Sequence, residues 1–140
     1  MAYQLHSCSA MRTILISADP ELLEMISQSG LKEDNQIDVY NESNDPLDVM
    51  STVCESNPSL MIIDDDFLKP NTVHILQSIR KVNQSIKIIF CTSNSSIDLG
   101  KEVSQLGIQY YAIKPLDKGE LQESFNAALQ AFNKKISTFN

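Results

Sequence analysis

Tryptophan is absent, histidine occurs twice and glycine only four times. His6 and His74 show no metal-ligand spacing and are expected at the surface. The three cysteines, Cys8, Cys54 and Cys91, are odd in number and far apart, so neither a disulfide framework nor a zinc site is suggested. Cys54 and Cys91 stand among apolar residues and are expected to pack in the core; a reducing cytoplasm is the default compartment. No apolar run approaches the roughly 20 residues of a transmembrane helix, so no membrane role is expected. The opening stretch MAYQLHSCSAMR lacks the apolar segment of a secretory signal, and residues 1–11 are expected to form a loose extension. A net charge of −7 argues against direct nucleic-acid binding.

Charge of one sign is also scarce by region. Residues 1–70 hold 3 Lys+Arg against 13 Asp+Glu, whereas residues 71–140 hold 8 against 5. Such asymmetry arises either from chance on solvated faces or from acids gathered at one functional edge.

Short apolar runs alternate with helical patterns. TILIS (13–17), IDVYN (37–41), LMIID (60–64), IKIIFCT (86–92) and IQYYAI (108–113) read as strands. LMIID and IKIIFCT are continuous enough to be buried on both sheet faces. Pro20 opens a helix with a Leu22, Leu23, Ile26 stripe that ends near Gly30. Asp45-Pro46 is a cap followed by a first-turn proline, with Leu47, Met50, Val53 and Cys54 as the stripe behind it. Val73, Leu76 and Ile79 mark a third helix, and Ile97, Val103 and Leu106 a weaker fourth one. Asp117 with Glu120 forms a capping box before a stripe of Leu121, Phe125, Ala128, Leu129, Phe132 and Ile136. Five β-α units imply an α/β fold: a three-layer, flavodoxin-like domain over residues 12–136 with a parallel sheet in order 2-1-3-4-5, and a tail at 137–140.

Chemistry in such sheets lies at the strand carboxyl ends, beside the switch point between strands one and three. There stand Ser17, Ala18 and Asp19; Asp64, Asp65 and Asp66; Thr92 and Ser93; and Lys114-Pro115. A carboxylate nucleophile, a hydroxyl and a lysine together suit a transferred phosphoryl group. A flavin-phosphate loop is a poor reading of Ser17 to Glu21, which has no glycine and two acids that repel phosphate.

PSLMIID, the Cys91-Thr92-Ser93 run and YYAIKPL closely resemble a CheY-like response-regulator receiver domain, the phosphoacceptor module of two-component signalling. Thr72 falls eight residues after Asp64, where that family usually has glycine, and Ile79-Arg80 where it commonly carries such a pair. The resemblance implies Asp64 as phosphoacceptor, Thr92 as switch hydroxyl, Lys114 as the phosphoryl-pairing lysine and Tyr111 as switch aromatic. It also implies a cis peptide at Lys114-Pro115. Phosphorylation would draw the hydroxyl inward and reshape the face built by the fourth helix, fifth strand and fifth helix (α4-β5-α5), through which receivers often pair as homodimers. The donor would be a histidine kinase or phosphotransfer protein.

The departure is at positions 17 and 18, where receivers place two acids and this chain has Ser17 and Ala18. Mg²⁺ demands near-octahedral oxygen ligands and usually takes one or two carboxylates. The resemblance therefore implies Mg²⁺ binding that is absent or weak, about millimolar or worse, through Asp19, Asp64 and Asp66. Asp19 also suits a helix N-cap. With fewer like charges near it and Lys114 as partner, Asp64 is expected to stay ionised without metal. Two functions follow: a phosphoacceptor, or a pseudo-receiver that docks a partner without phosphorylation. The Asp-x-Asp within IIDDDFL also suits a haloacid-dehalogenase-like phosphohydrolase, but no downstream acid pair supports one, so no enzyme activity is expected.

Overall fold

The computed structural model describes residues 11–28 and 36–139, with side chains described to residue 135. His6, Cys8, Gly30, residues 1–10 of the expected extension and the Ile136 side chain lie outside the described residues.

Strands β1 (Arg12–Ile16), β2 (Gln36–Tyr40), β3 (Leu60–Asp64), β4 (Lys87–Thr92) and β5 (Tyr110–Ile113) form one parallel sheet in the order β2-β1-β3-β4-β5. Helices α1 (Pro20–Gln28), α2 (Pro46–Ser56), α3 (Thr72–Val82), α4 (Ile97–Ser104) and α5 (Lys118–Phe139) cover it, and one helical turn, Asp65–Leu68, directly follows β3. Two-residue periodicity sends alternate strand side chains to opposite faces. Leu15, Leu60, Ile62, Ile89 and Cys91 meet α1 and α5 through Leu22, Ile26, Leu121, Phe125 and Ala128. Ile14, Ile16, Met61, Ile63 and Phe90 meet α2, α3 and α4 through Val49, Val53, Ile75, Ile79 and Val103. Every residue of β3 is buried, as its unbroken apolar run requires.

Several expectations need correcting. In α2 the buried positions are Val49 and Val53, while Leu47 is 80% exposed and Cys54 is exposed. Val53 is buried and Met50 packs partly against the same cluster, as expected, so packing on the sheet selects the face. Asp45 accepts from the Leu47 and Asp48 amides (3.1 and 3.4 Å), which sets the first turn at Pro46 as the sequence implied. Ile97 opens α4 at 74% exposure and contributes nothing to the core. The capping box is half formed: Asp117 Oδ1 accepts from the Glu120 amide (3.0 Å), but the Glu120 carboxylate accepts from the Tyr110 hydroxyl (2.7 Å). Met11 is buried against the α5 face, and α5 runs on to Phe139. No helix among the described residues is long and apolar enough to cross a membrane.

Candidate functional site

The site forms where β1, β3, β4 and β5 end. Asp64 is the last residue of β3 and is 1% exposed. The helical turn that begins at Asp65 brings the Asp66 amide back onto Asp64 Oδ1 (3.0 Å), so Asp64 caps its own turn. From β1, the Ser17 hydroxyl donates to Asp64 Oδ2 at 2.6 Å and accepts from the Asp19 amide at 3.0 Å. From β5, the Lys114 ammonium lies 3.0 Å from Asp64 Oδ1 and 3.1 Å from Oδ2. Lys114-Pro115 is a cis peptide, and the Lys114 amide donates to the Thr92 carbonyl (2.8 Å), which ties the two strand ends together.

Lys114 serves three acids at once. Its ammonium is 2.8 Å from Asp19 Oδ2 and 3.0 Å from Asp66 Oδ2, besides Asp64. An ammonium has three donors, so all are in use. Burial pulls the Lys114 pKa down, but the three carboxylates together hold it well above its ordinary range. Asp19 is held below the usual carboxylate value, chiefly by its hydrogen bond to Lys114. Burial pushes Asp66 up, yet the Ser93 hydroxyl (2.6 Å) and Lys114 bring it below the usual value. Asp19 Oδ1 also accepts from the Glu21 amide (3.0 Å), so this acid caps α1 while it pairs with Lys114.

Thr92, on β4, stands beside this cluster but does not join it. Its hydroxyl donates to Asp65 Oδ2 at 2.7 Å and accepts from the Asn94 amide at 2.9 Å. Tyr111 packs its ring on Phe90 (centroids 5.2 Å apart, 30° between planes), and its hydroxyl is buried without a hydrogen-bond partner among the described residues. Ser17, read from sequence only as a lost acid, is a fully buried donor to Asp64. Asp65, to which the sequence reading gave no role in the site, is buried at 5% exposure. A run of three acids behind a buried strand carries the only available hint: a turn that starts there must send neighbouring side chains to different sides.

The geometry does not suit Mg²⁺ as it stands. Among the described residues no group of three or more His, Cys, Asp or Glu is arranged to hold a metal ion. The acids that would ligate one, Asp19, Asp64 and Asp66, converge on the Lys114 ammonium instead. Ala18 offers no side-chain oxygen, and the Ser17 hydroxyl points its proton at Asp64.

The described family that matches is the response regulator receiver domain, over residues 14–126. The transcriptional regulatory protein ZraR of Klebsiella oxytoca is 31% identical over 87 residues, which are 62% of this chain and 20% of that protein. Sporulation initiation phosphotransferase F of Bacillus subtilis is 23% identical over 78 residues, 56% of this chain and 63% of that one. This chain thus spans about a fifth of ZraR. A CheY-like receiver domain protein from Methanospirillum hungatei JF-1 shares the fold with a TM-score of 0.74 at 17% identity, covering 90% of this chain and 98% of that one. With a matching family model over most of its length and the fold that goes with it, the chain belongs to the response regulator receiver domain family of two-component phosphorelay signalling.

Proposed function

We propose that Asp64 accepts a phosphoryl group from a histidine kinase or phosphotransfer protein, slowly and with little help from metal. The observation that carries this is the Lys114 ammonium lying 3.0 and 3.1 Å from the two Asp64 oxygens at the end of the central strand. In the transfer, an Asp64 oxygen attacks phosphorus and forms an O–P bond. The P–N bond of the donor phosphohistidine breaks, and the leaving imidazole nitrogen keeps the electron pair and takes a proton. Lys114 offsets charge on the phosphoryl oxygens.

The slowness follows from valence. A carboxylate has about four lone-pair sites. Ser17, the Asp66 amide and Lys114 engage both Asp64 oxygens, so an incoming phosphorus must displace one of them. Receiver domains bind Mg²⁺ through acidic residues; here we take that binding to be weak or absent, because Lys114 already neutralises the acids. The same saturation of Asp64 favours a second reading, a pseudo-receiver that docks its partner without phosphorylation. In either case the domain is cytoplasmic, performs no turnover of its own, and can pair with a second copy through the α4-β5-α5 face, where Ile97 and Ile113 are exposed.

Incubation with phosphoramidate, a small P–N phosphoryl donor, separates the readings by intact mass. Slow addition of a single phosphoryl group that Asp64→Asn abolishes supports the first. No addition after prolonged incubation, with partner binding unchanged in Asp64→Asn, supports the second.

A further inference from the structure

Beside the Lys114 cluster lies a second buried acid that takes no part in it. Asp65 faces β4, where the fully buried Thr92 hydroxyl donates to its Oδ2 at 2.7 Å. A hydroxyl has one proton to give. The remaining capacity of Thr92 Oγ1 accepts from the Asn94 amide, at the turn leading to α4. Close by, the buried Tyr111 hydroxyl has no hydrogen-bond partner among the described residues, and burial together with the Asp65 charge pushes its pKa up. A Cβ on Gly100 of α4 would lie 3.9 Å from that hydroxyl, so the helix closes over it. Asp65 therefore sits among the ends of β4 and β5 and the approach to α4.

We propose that Asp65 is a positioning residue, a resident anion that holds the Thr92 hydroxyl away from Asp64, so that the Thr92–Tyr111 side of the sheet keeps one packing whether or not Asp64 carries a phosphoryl group. The second half of this rests on the phosphoacceptor reading above. To donate to a phosphoryl oxygen, Thr92 would have to abandon a short charge-assisted hydrogen bond. It would leave a carboxylate of 5% exposure without the one side-chain donor it has among the described residues. Orphaning a buried charge costs more than a new hydrogen bond returns. A ligand shifts an equilibrium only by its differential affinity for the two states, so a phosphoryl group that Thr92 does not greet moves this face little.

The test has two arms. Without any phosphoryl donor, amide spectra and hydrogen exchange are compared for the native chain, Asp65→Ala, Asp65→Asn, Thr92→Val and the Asp65→Ala/Thr92→Val pair. Asp65→Ala should speed exchange of the Asn94 amide about tenfold and move resonances across residues 92–113. Thr92→Val should move the same set, the double variant should add nothing, and Asp65→Asn, which keeps an acceptor, should restore part of the native pattern. With phosphoramidate, and intact mass confirming the load, the native chain should shift little over residues 97–113 and Asp65→Ala should shift there as a block. Native exchange at Asn94 in Asp65→Ala, additive effects in the double variant, or a native chain that shifts on loading as much as Asp65→Ala overturns the proposal. If neither chain gains mass, the phosphoacceptor reading falls, and the first arm alone decides whether Asp65 positions Thr92. Thr92→Val removes the same bond from the other side, so the test holds if Asp65→Ala does not fold.

Discussion

Asp64 and Asp65 are neighbours in sequence, both buried, and they face opposite halves of one sheet edge. Asp64 meets a cation shared with Asp19 and Asp66 and partly open to solvent. Asp65 meets, among the described residues, one neutral hydroxyl in a buried corner near Tyr111. The first acid is held by charge and the second by a directional hydrogen bond. Charge tolerates rearrangement, since Lys114 can trade one carboxylate for another or for a phosphoryl oxygen. A buried hydroxyl with one proton cannot trade without orphaning its partner. A transfer centre and a rigid strut thus stand one residue apart.

Breaking the ionic half should have the largest effect. Lys114→Met leaves three carboxylates facing one another and should lower unfolding stability by about 3 kcal/mol in urea titrations at neutral pH. The same variant should gain Mg²⁺ affinity, visible as stability recovered on adding the ion, because the acids then lack a counter-ion. Loss of stability without that recovery would show that the acids cannot gather round any cation but Lys114. Thr92→Val, in the other half, should cost about 2 kcal/mol by the same titration, since it orphans Asp65. Added salt should reduce the Lys114 effect more than the Thr92 effect, because the Lys114 cluster is partly exposed.

Acid should also separate the halves. Asp19 and Asp66 have folded pKa values below the ordinary 3.8. Their contribution is therefore present above that unfolded value and lost as pH falls through the folded values. Stability measured from pH 5 downward should decline below about pH 4, and the slope should flatten in Lys114→Met. Ser17→Ala should have the smallest effect, about 1 kcal/mol, because Asp64 keeps Lys114 and the Asp66 amide. It should also free a lone pair on Asp64 and quicken phosphoryl addition.

Much of this was legible from residue order. The unbroken LMIID run placed Asp64 at the end of a central strand, and Lys114-Pro115 after YYAI placed the lysine opposite it. Asp45-Pro46 marked the start of α2. The α2 stripe was partly legible: Val53 is buried and Met50 packs against the same cluster as expected, but PLDVMSTVCES offers two overlapping helical faces, and packing on the sheet buries Val49 while Leu47 and Cys54 stay exposed. The partner of Thr92 was hidden for a related reason. Strand alternation stops at Asp64, and the helical turn that follows rotates Asp65 towards β4 and Asp66 back towards Lys114. A serine at the end of β1 is visible in sequence, but its burial and its direction depend on where Asp64 sits.

The rate of phosphoryl addition from acetyl phosphate as Mg²⁺ rises from zero to about 10 mM, followed by intact mass, bears most directly on a site in which Lys114 stands in for metal. Slow addition of a single group, lost in Asp64→Asn and changing less than about twofold across that range, is the expected result. Fast and complete addition that climbs steeply with Mg²⁺ would contradict it, for it would mean that the acids release Lys114 and ligate the ion.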